Sequence, residues 1–260
     1  MKIISTIERD NSKPIINVPI QLFIDAVQNN YQRQLRFYLL LKLLYPSGKS
    51  KLDNQDLQFI EYCDRIASRK TTLKYIEKLS SLGWIRKNQK TEYYIFMSFD
   101  KIREENEWQN RLAFPIGFDN YNNLKAVSGA IIYGYLHKDF WRKVRKKKSV
   151  QIKGCAYHFL SSKFNFKKVP APVSVYGVNA IFNISTATAS RIKNAAAKEQ
   201  LISLKKNYTM NSLNSEAMHK YLKYNDSKHN LVYKNGKYVL QLIDTIFPLF
   251  YFRKRKSLKP

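Results

Sequence analysis

The stretch FNISTATASRIKN, residues 182–194, decides how this chain is read, because it gathers small polar side chains, alanines and two cations where a helix begins. Ser185 is placed to cap a helix N-terminus by accepting a hydrogen bond from an orphan backbone N–H. Ala187, Ala189, Ala195, Ala196 and Ala197 favour helix strongly enough to carry the Thr and Ser residues among them. The spacing predicts a helix over Thr186–Lys198. At about 100° per residue, Thr188, Ala189, Ile192, Ala195 and Ala196 share one face. Thr186, Ala187, Ser190, Asn194 and Ala197 share the other, flanked by Arg191 and Lys193. The first face lets a neighbouring helix approach closely. The second presents groups that suit base edges: Arg for guanine, Asn for adenine, Ser or Thr for either, an alanine methyl for thymine. Thr186, Ala187, Ser190, Arg191 and Asn194 are therefore the expected base readers, with Lys193 on a phosphate. The plainer alternative is an alanine-rich packing helix in an ordinary helical domain.

A reading helix needs a supporting helix across the groove. Residues 174–182, SVYGVNAIF, supply a short helix capped by Ser174, and residues 183–185 supply a tight turn. The segment resembles the helix-turn-helix of bacterial winged-helix regulators, whose small residue, apolar pair, Ser, Thr and following Arg are matched by Ala180, Ile184, Ser185, Thr188 and Arg191.

The first half repeats this logic. Residues 31–45, YQRQLRFYLLLKLLY, form an apolar helix stopped by Pro46-Ser47-Gly48, Asp53 caps a second helix running to Arg65, and Ser68 caps a third that Gly83 stops. On this third helix Leu73, Ile76, Leu79 and Ser80 make the expected inner face. Lys70, Thr71, Lys74 and Lys78 are left outward to meet phosphates. Trp84-Ile85, a polar turn and residues 91–99 read as a β-hairpin wing. Residues 15–26 read as a short strand and helix that open this domain. We expect a mainly α chain with small β-hairpins, α+β in class, arranged as two tandem winged-helix domains: residues 1–105, a linker 106–121, and residues 122–260. In the second domain, residues 122–148 read as a long helix, 153–166 as a further helix and 169–173 as a stiff connector. Residues 231–243 read as a hairpin around Asn235-Gly236, a candidate second wing set off by the insertion 207–230.

Charge points to the partner. Lys and Arg number 46 against 19 Asp and Glu, and residues 111–260 alone hold 28 against 6. Such an excess suits a polyanion. Three basic runs, Arg142, Lys143, Arg145, Lys146, Lys147 and Lys148, then Lys167 and Lys168, then Arg253, Lys254, Arg255 and Lys256, are interleaved with aromatic residues and are expected to contact phosphate. A lone run of this kind is more often just a solvated face. Cys63 and Cys155 are too few for a disulfide framework, and the first residues lack the apolar core of a secretory signal, so a cytoplasmic location is expected. Residues 238–252 are the most apolar run, but its 15 residues include Gln241, Asp244 and Pro248, short of a membrane span. A buried strand or helix is expected there, with membrane contact a minor alternative.

Catalytic chemistry is not legible. Pro46 to Ser50 has the end of a phosphate-binding loop, but the position that needs glycine is Leu43 and a helix precedes it. Gly129 and Gly134 lack the following Lys and read as close-packing points. His137, His158, His219 and His229 are scattered, and Cys155 with His158 gives two ligands where a structural zinc needs four. A non-enzyme without metal or cofactor is expected.

Two winged helices in tandem in a basic chain of this length resemble the replication initiators of plasmids and, less closely, of phages. The resemblance is architectural and implies that each domain lays its third helix in a major groove of double-stranded DNA. It also implies self-association, as a dimer or along repeated sites, and contact with host replication proteins. A transcriptional regulator of a mobile element shares the same binding chemistry, and a packaging protein that coats nucleic acid by charge is the alternative of another class.

Overall fold

Helices and small antiparallel sheets alternate along the computed structural model, which describes residues 14–64, 68–145, 149–158, 169–209, 214, 216, 220, 223 and 231–254. The α+β class is as expected. The chain divides into two units, Met1–Ile131 with Tyr251–Pro260, and Ile132–Phe250.

In the first unit, strand β1 (Ile15–Pro19) leads directly into helix α1 (Ile20–Gln28), which buries Ile20, Leu22, Phe23, Ala26 and Val27. Helix α2 (Gln32–Leu44) is apolar on most sides, and accordingly Leu35, Phe37, Tyr38, Leu39, Leu40, Leu41 and Leu43 are all buried. Gly48 ends this segment in the left-handed region (φ 73°), donating its N–H to the Tyr45 carbonyl at 2.9 Å. Strand β2 (Lys49–Ser50), helix α3 (Asn54–Asp64) and helix α4 (Arg69–Ser81) follow. The expected caps are in place: Asp53 accepts from the Asp56 N–H at 2.8 Å, and Ser68 from the Thr71 N–H. Gly83, also at φ 73°, stops α4 as the Trp84 N–H reaches back to the Leu79 carbonyl.

Strands β3 (Ile85–Lys87) and β4 (Tyr94–Phe96) make the expected hairpin, and β4 lies between β2 and β3 in a three-stranded sheet. Tyr38 sits at the centre of the unit, its ring against Trp84 and Phe99 and its hydroxyl donating to the Met97 carbonyl at 2.5 Å. Helix α5 (Phe99–Glu105) leads to strand β5 (Leu112–Gly117). The linker expected at 106–121 is thus corrected: β5 is buried and pairs with β1 along its length, Ile15 opposite Gly117 through Pro19 opposite Ala113. Pro115 stands opposite Asn17 in the middle of β1, while on the other side of β5 strand β13 pairs only with Leu112 and Ala113, so among the described residues no strand flanks Pro115 there.

Helix α6 (Leu124–Arg145) contains the boundary between the units, and Gly129 and Gly134 are buried on it. In the second unit the helix expected at 153–166 is replaced, among its described residues, by a hairpin of β6 (Ser149–Ile152) and β7 (Cys155–His158). Lys153 and Gly154 both take positive φ, 50° and 80°, the geometry of a two-residue turn matched to strand twist. The connector expected at 169–173 contains strand β8 (Ala171–Pro172), which tolerates prolines because it lies at a sheet edge. Helices α7 (Val175–Phe182) and α8 (Thr186–Lys198) have the expected bounds. Strands β9 (Ile202–Lys205), β10 (Leu231–Lys234), β11 (Lys237–Leu240) and β12 (Thr245–Pro248) follow, with β12 between β8 and β9.

The apolar run 238–252 is therefore two short strands; Ile246 is fully buried, whereas Leu249 and Tyr251 are more than half exposed. Beyond β9 and β12 the two chains stay paired: the Leu242 N–H donates to the Asn207 carbonyl, Tyr208 bridges Gln241, and the Thr209 N–H donates to the Leu240 carbonyl. The hairpin β10–β11 continues this ladder. Strand β13 (Arg253–Lys254) belongs to the first unit, where it pairs with β5 and completes the order β1-β5-β13.

Candidate nucleic-acid interface

Helix α8 is held by its own ends and by its smallest side chains. Asn183 takes the left-handed conformation (φ 50°) that ends α7, the Asn179 side chain donates to the Ile184 carbonyl at 3.0 Å, and Ile184 is buried in the turn. Ser185 caps α8, accepting from the Thr188 N–H at 3.2 Å while its hydroxyl donates to that of Thr188. Ala189, Ile192 and Ala196 form the buried face, and the Tyr133 hydroxyl donates to the Ala189 carbonyl at 3.2 Å. Alanines leave room for that approach. The opposite stripe, Ala187, Arg191, Asn194 and Lys198, is exposed. Thr186 and Ser190 are half-buried beside it and line an open cleft of about 700 Å³ whose other wall is Gln241 to Asp244. The expected base readers therefore share one accessible side of one helix.

Lys193 does not belong with them, which corrects its assignment to phosphate. It is buried, and its ammonium lies 2.5 Å from the Asp244 carboxylate, which is buried as well. The other carboxylate oxygen accepts from the Gln241 amide at 3.1 Å, and the Asp244 main-chain carbonyl accepts from the Val173 N–H. One residue thus ties α8, the base of the hairpin and β8 together. A buried carboxylate must be matched by charge and hydrogen bonds, and Lys193 is that match.

In the first unit, Lys70, Lys74 and Lys78 are exposed along α4, while Thr71 is half-buried with its hydroxyl against that of the Ser68 cap. The inner face is Thr72, Ile76 and Leu79; Leu73 and Ser80, expected inside, are exposed. Tyr75 explains the rotation, since its ring packs on Phe37 at 5.7 Å and draws that side of the helix inward. Beside α4 the sheet presents cations that sequence reasoning did not select. Lys49 and Lys51 lie over the Tyr93 ring and Lys87 over that of Tyr94. Their signal was alternation of Lys with Tyr on paired strands, visible only once the register of β2, β3 and β4 is known.

The basic runs divide. Arg142 and Lys143 are exposed on α6 and both engage Asp139, at 2.5 and 2.8 Å. Burial raises the Asp139 pKa, but those two partners outweigh it and hold the carboxyl below its usual range. Arg253 donates to the Asn17 side chain within the sheet of the first unit, so it and Lys254 are not part of the second domain as expected. Of Arg145 the structure describes only the helical backbone. Lys146, Lys147, Lys148, Lys167, Lys168, Arg255 and Lys256 lie outside the described residues.

Among the described residues no cluster of three or more His, Cys, Asp or Glu could hold a metal ion, and no helix is long and apolar enough to cross a membrane. His137 is structural: its Nε2–H donates to the Val169 carbonyl at 2.8 Å, and burial lowers its pKa. No family model, curated protein or solved structure matches this chain.

Proposed function

We propose that each unit is a winged helix and that the chain is a sequence-selective double-stranded DNA-binding protein, without catalytic activity, that initiates replication of a plasmid, phage or other mobile element. One observation carries the reading. Both units contain the series helix, strand, helix, helix, strand, strand, interrupted in the second by the hairpins β6–β7 and β10–β11, and in both the third strand of the series lies between the first two, as β2-β4-β3 and as β8-β12-β9. In each the helix before the second strand, α4 or α8, turns polar and cationic side chains to solvent. That is the arrangement in which a helix enters the major groove and a hairpin flanks it.

The two helices differ in role. The outer face of α8 offers an Arg, an Asn, a Ser and a Thr, side chains that discriminate base edges. The outer face of α4 offers mainly lysines, which position without specifying. A duplication of this kind suits a protein that covers two adjacent grooves of a repeated site.

Selection of duplexes from a random pool with the full chain, followed by mapping of the selected sequence on its source DNA, tests the proposal. A selected duplex bound at least a hundred-fold more tightly than random DNA at the same salt, recurring as a cluster of repeats beside an AT-rich region, is the expected result. Equal affinity for both pools overturns it in favour of coating by charge. A single palindrome over a promoter overturns the assignment to replication.

A further inference from the structure

The β10–β11 hairpin carries chemistry that groove reading by α8 leaves unused. Its register sets Tyr233 opposite Tyr238 and Lys234 opposite Lys237. Side chains alternate across a ribbon, so the two tyrosines share one face with Leu231 and Leu240, and the two lysines share the other. Asn235 and Gly236, at φ 49° and 78°, close the turn between the lysines. The tyrosine rings pack together with centroids 5.0 Å apart, yet Tyr233 remains 63% exposed and Tyr238 41%. Lys234 leans its ammonium over the Tyr208 ring at 4.0 Å. Residues 227–243 contain no acidic side chain.

A cross-strand tyrosine pair steadies the ribbon, yet that role alone leaves the exposed ring surface of Tyr233 and Tyr238 unused. Paired aromatic rings on one face of a narrow ribbon, lysines at the turn on its other face and no acid in the segment fit a polyanion that also offers flat π-faces. Nucleic acid is such a polymer. In a duplex, however, the faces of the bases are covered by their neighbours and only the edges are presented in the grooves. Rings of this kind therefore match unpaired bases, which stack on aromatic side chains without regard to sequence while lysines take the phosphates.

Resting on the reading of the chain as a DNA-binding protein, we infer that the β10–β11 hairpin is a separate site for single-stranded DNA, with bases on Tyr233 and Tyr238 and the strand's backbone passing round the Asn235-Gly236 turn to Lys237 and Lys234 on the other face. The contact is distinct from α8, so the chain holds duplex through one surface and an unpaired strand through another.

The test uses the full chain and fluorescence anisotropy at fixed salt, with a mixed-sequence single-stranded oligonucleotide and, separately, a selected duplex. Tyr233→Ala/Tyr238→Ala is expected to weaken single-strand binding about ten-fold or more and to change duplex affinity by less than about two-fold. Tyr233→Phe/Tyr238→Phe keeps the π-faces and is expected to bind both DNAs like the parent. Unfolding midpoints of the variants, measured alongside, are expected to fall only slightly, by the loss of one cross-strand ring pair on a partly exposed ribbon. Loss of duplex and single-strand affinity to the same extent makes the hairpin a duplex contact and overturns the inference. So does a double-alanine variant that binds the single strand normally, or one whose only change is in self-association or in binding to anionic vesicles. A parent chain that fails to bind the selected duplex is a different result, which removes the proposed function itself.

Discussion

Replacing Lys193 with Met leaves the Asp244 carboxylate buried without its cation, which for such pairs costs about 3–5 kcal/mol. The expected outcome is a large drop in the urea midpoint of Lys193→Met, while Lys193→Met/Asp244→Leu recovers most of it because no buried charge remains. Arg191 lies outside this network and is exposed. Its planar fork can take both acceptors of one guanine, a contact worth about 1–3 kcal/mol of discrimination. On the proposed reading, Arg191→Ala weakens the selected duplex roughly ten-fold, relaxes preference at one or two positions and leaves random DNA nearly unaffected; equal weakening of both marks Arg191 as a phosphate contact. His137 gives the second unit a pH dependence. Burial lowers its pKa below the ordinary value of 6.5. Between the ordinary and lowered values the unfolded chain takes up a proton that the folded one refuses, so stability falls as pH drops below about 6.5 and levels off beneath the folded value. His137→Gln keeps a donor for the Val169 carbonyl but does not titrate. Urea titrations at pH 5 and 7.5 are expected to show a smaller acid loss for it than for the parent.

Among the elements, α4 and α8 look alike in length and differ in what they expose. Lys74→Ala/Lys78→Ala is expected to weaken binding to all duplexes by a similar factor, measured by anisotropy on selected and random DNA, because lysines on phosphates carry no base information. A change in base preference with unchanged random affinity would assign α4 a reading role. What the sequence made legible were the local devices: Ser68, Ser174 and Ser185 as caps, Asp53 before α3, and the turns at Gly83 and Asn235-Gly236, each set by residues within four positions of one another. What it hid depended on distant partners. Lys193 belongs inside because Asp244, 51 residues later, is folded against it. The α4 inner face is displaced toward Thr72 by a ring from α2. Lys153-Gly154 went unread as a turn because its flanking strands are short and carry little alternation. The β8 strand was hidden by prolines that only an edge position permits.

For the whole molecule, the proposed reading makes charge the source of affinity for DNA. If six to ten phosphates are neutralised, the logarithm of affinity falls against the logarithm of salt with a slope of about −5 to −9, measured on one duplex from low to moderate salt. A slope near −1 would mean that the excess of 28 basic over 6 acidic side chains in residues 111–260 does not face the DNA. The units that share this charge are not successive along the chain, because β13 at Arg253–Lys254 returns to pair with β5 of the first. Synthesis runs in one direction, so this sheet stays one strand short while the ribosome makes all of Ile132–Phe250. Until residue 254 emerges, the β5 edge at Leu112 and Ala113 offers its backbone donors and acceptors unpaired, the kind of surface a nascent neighbour on the same messenger can capture.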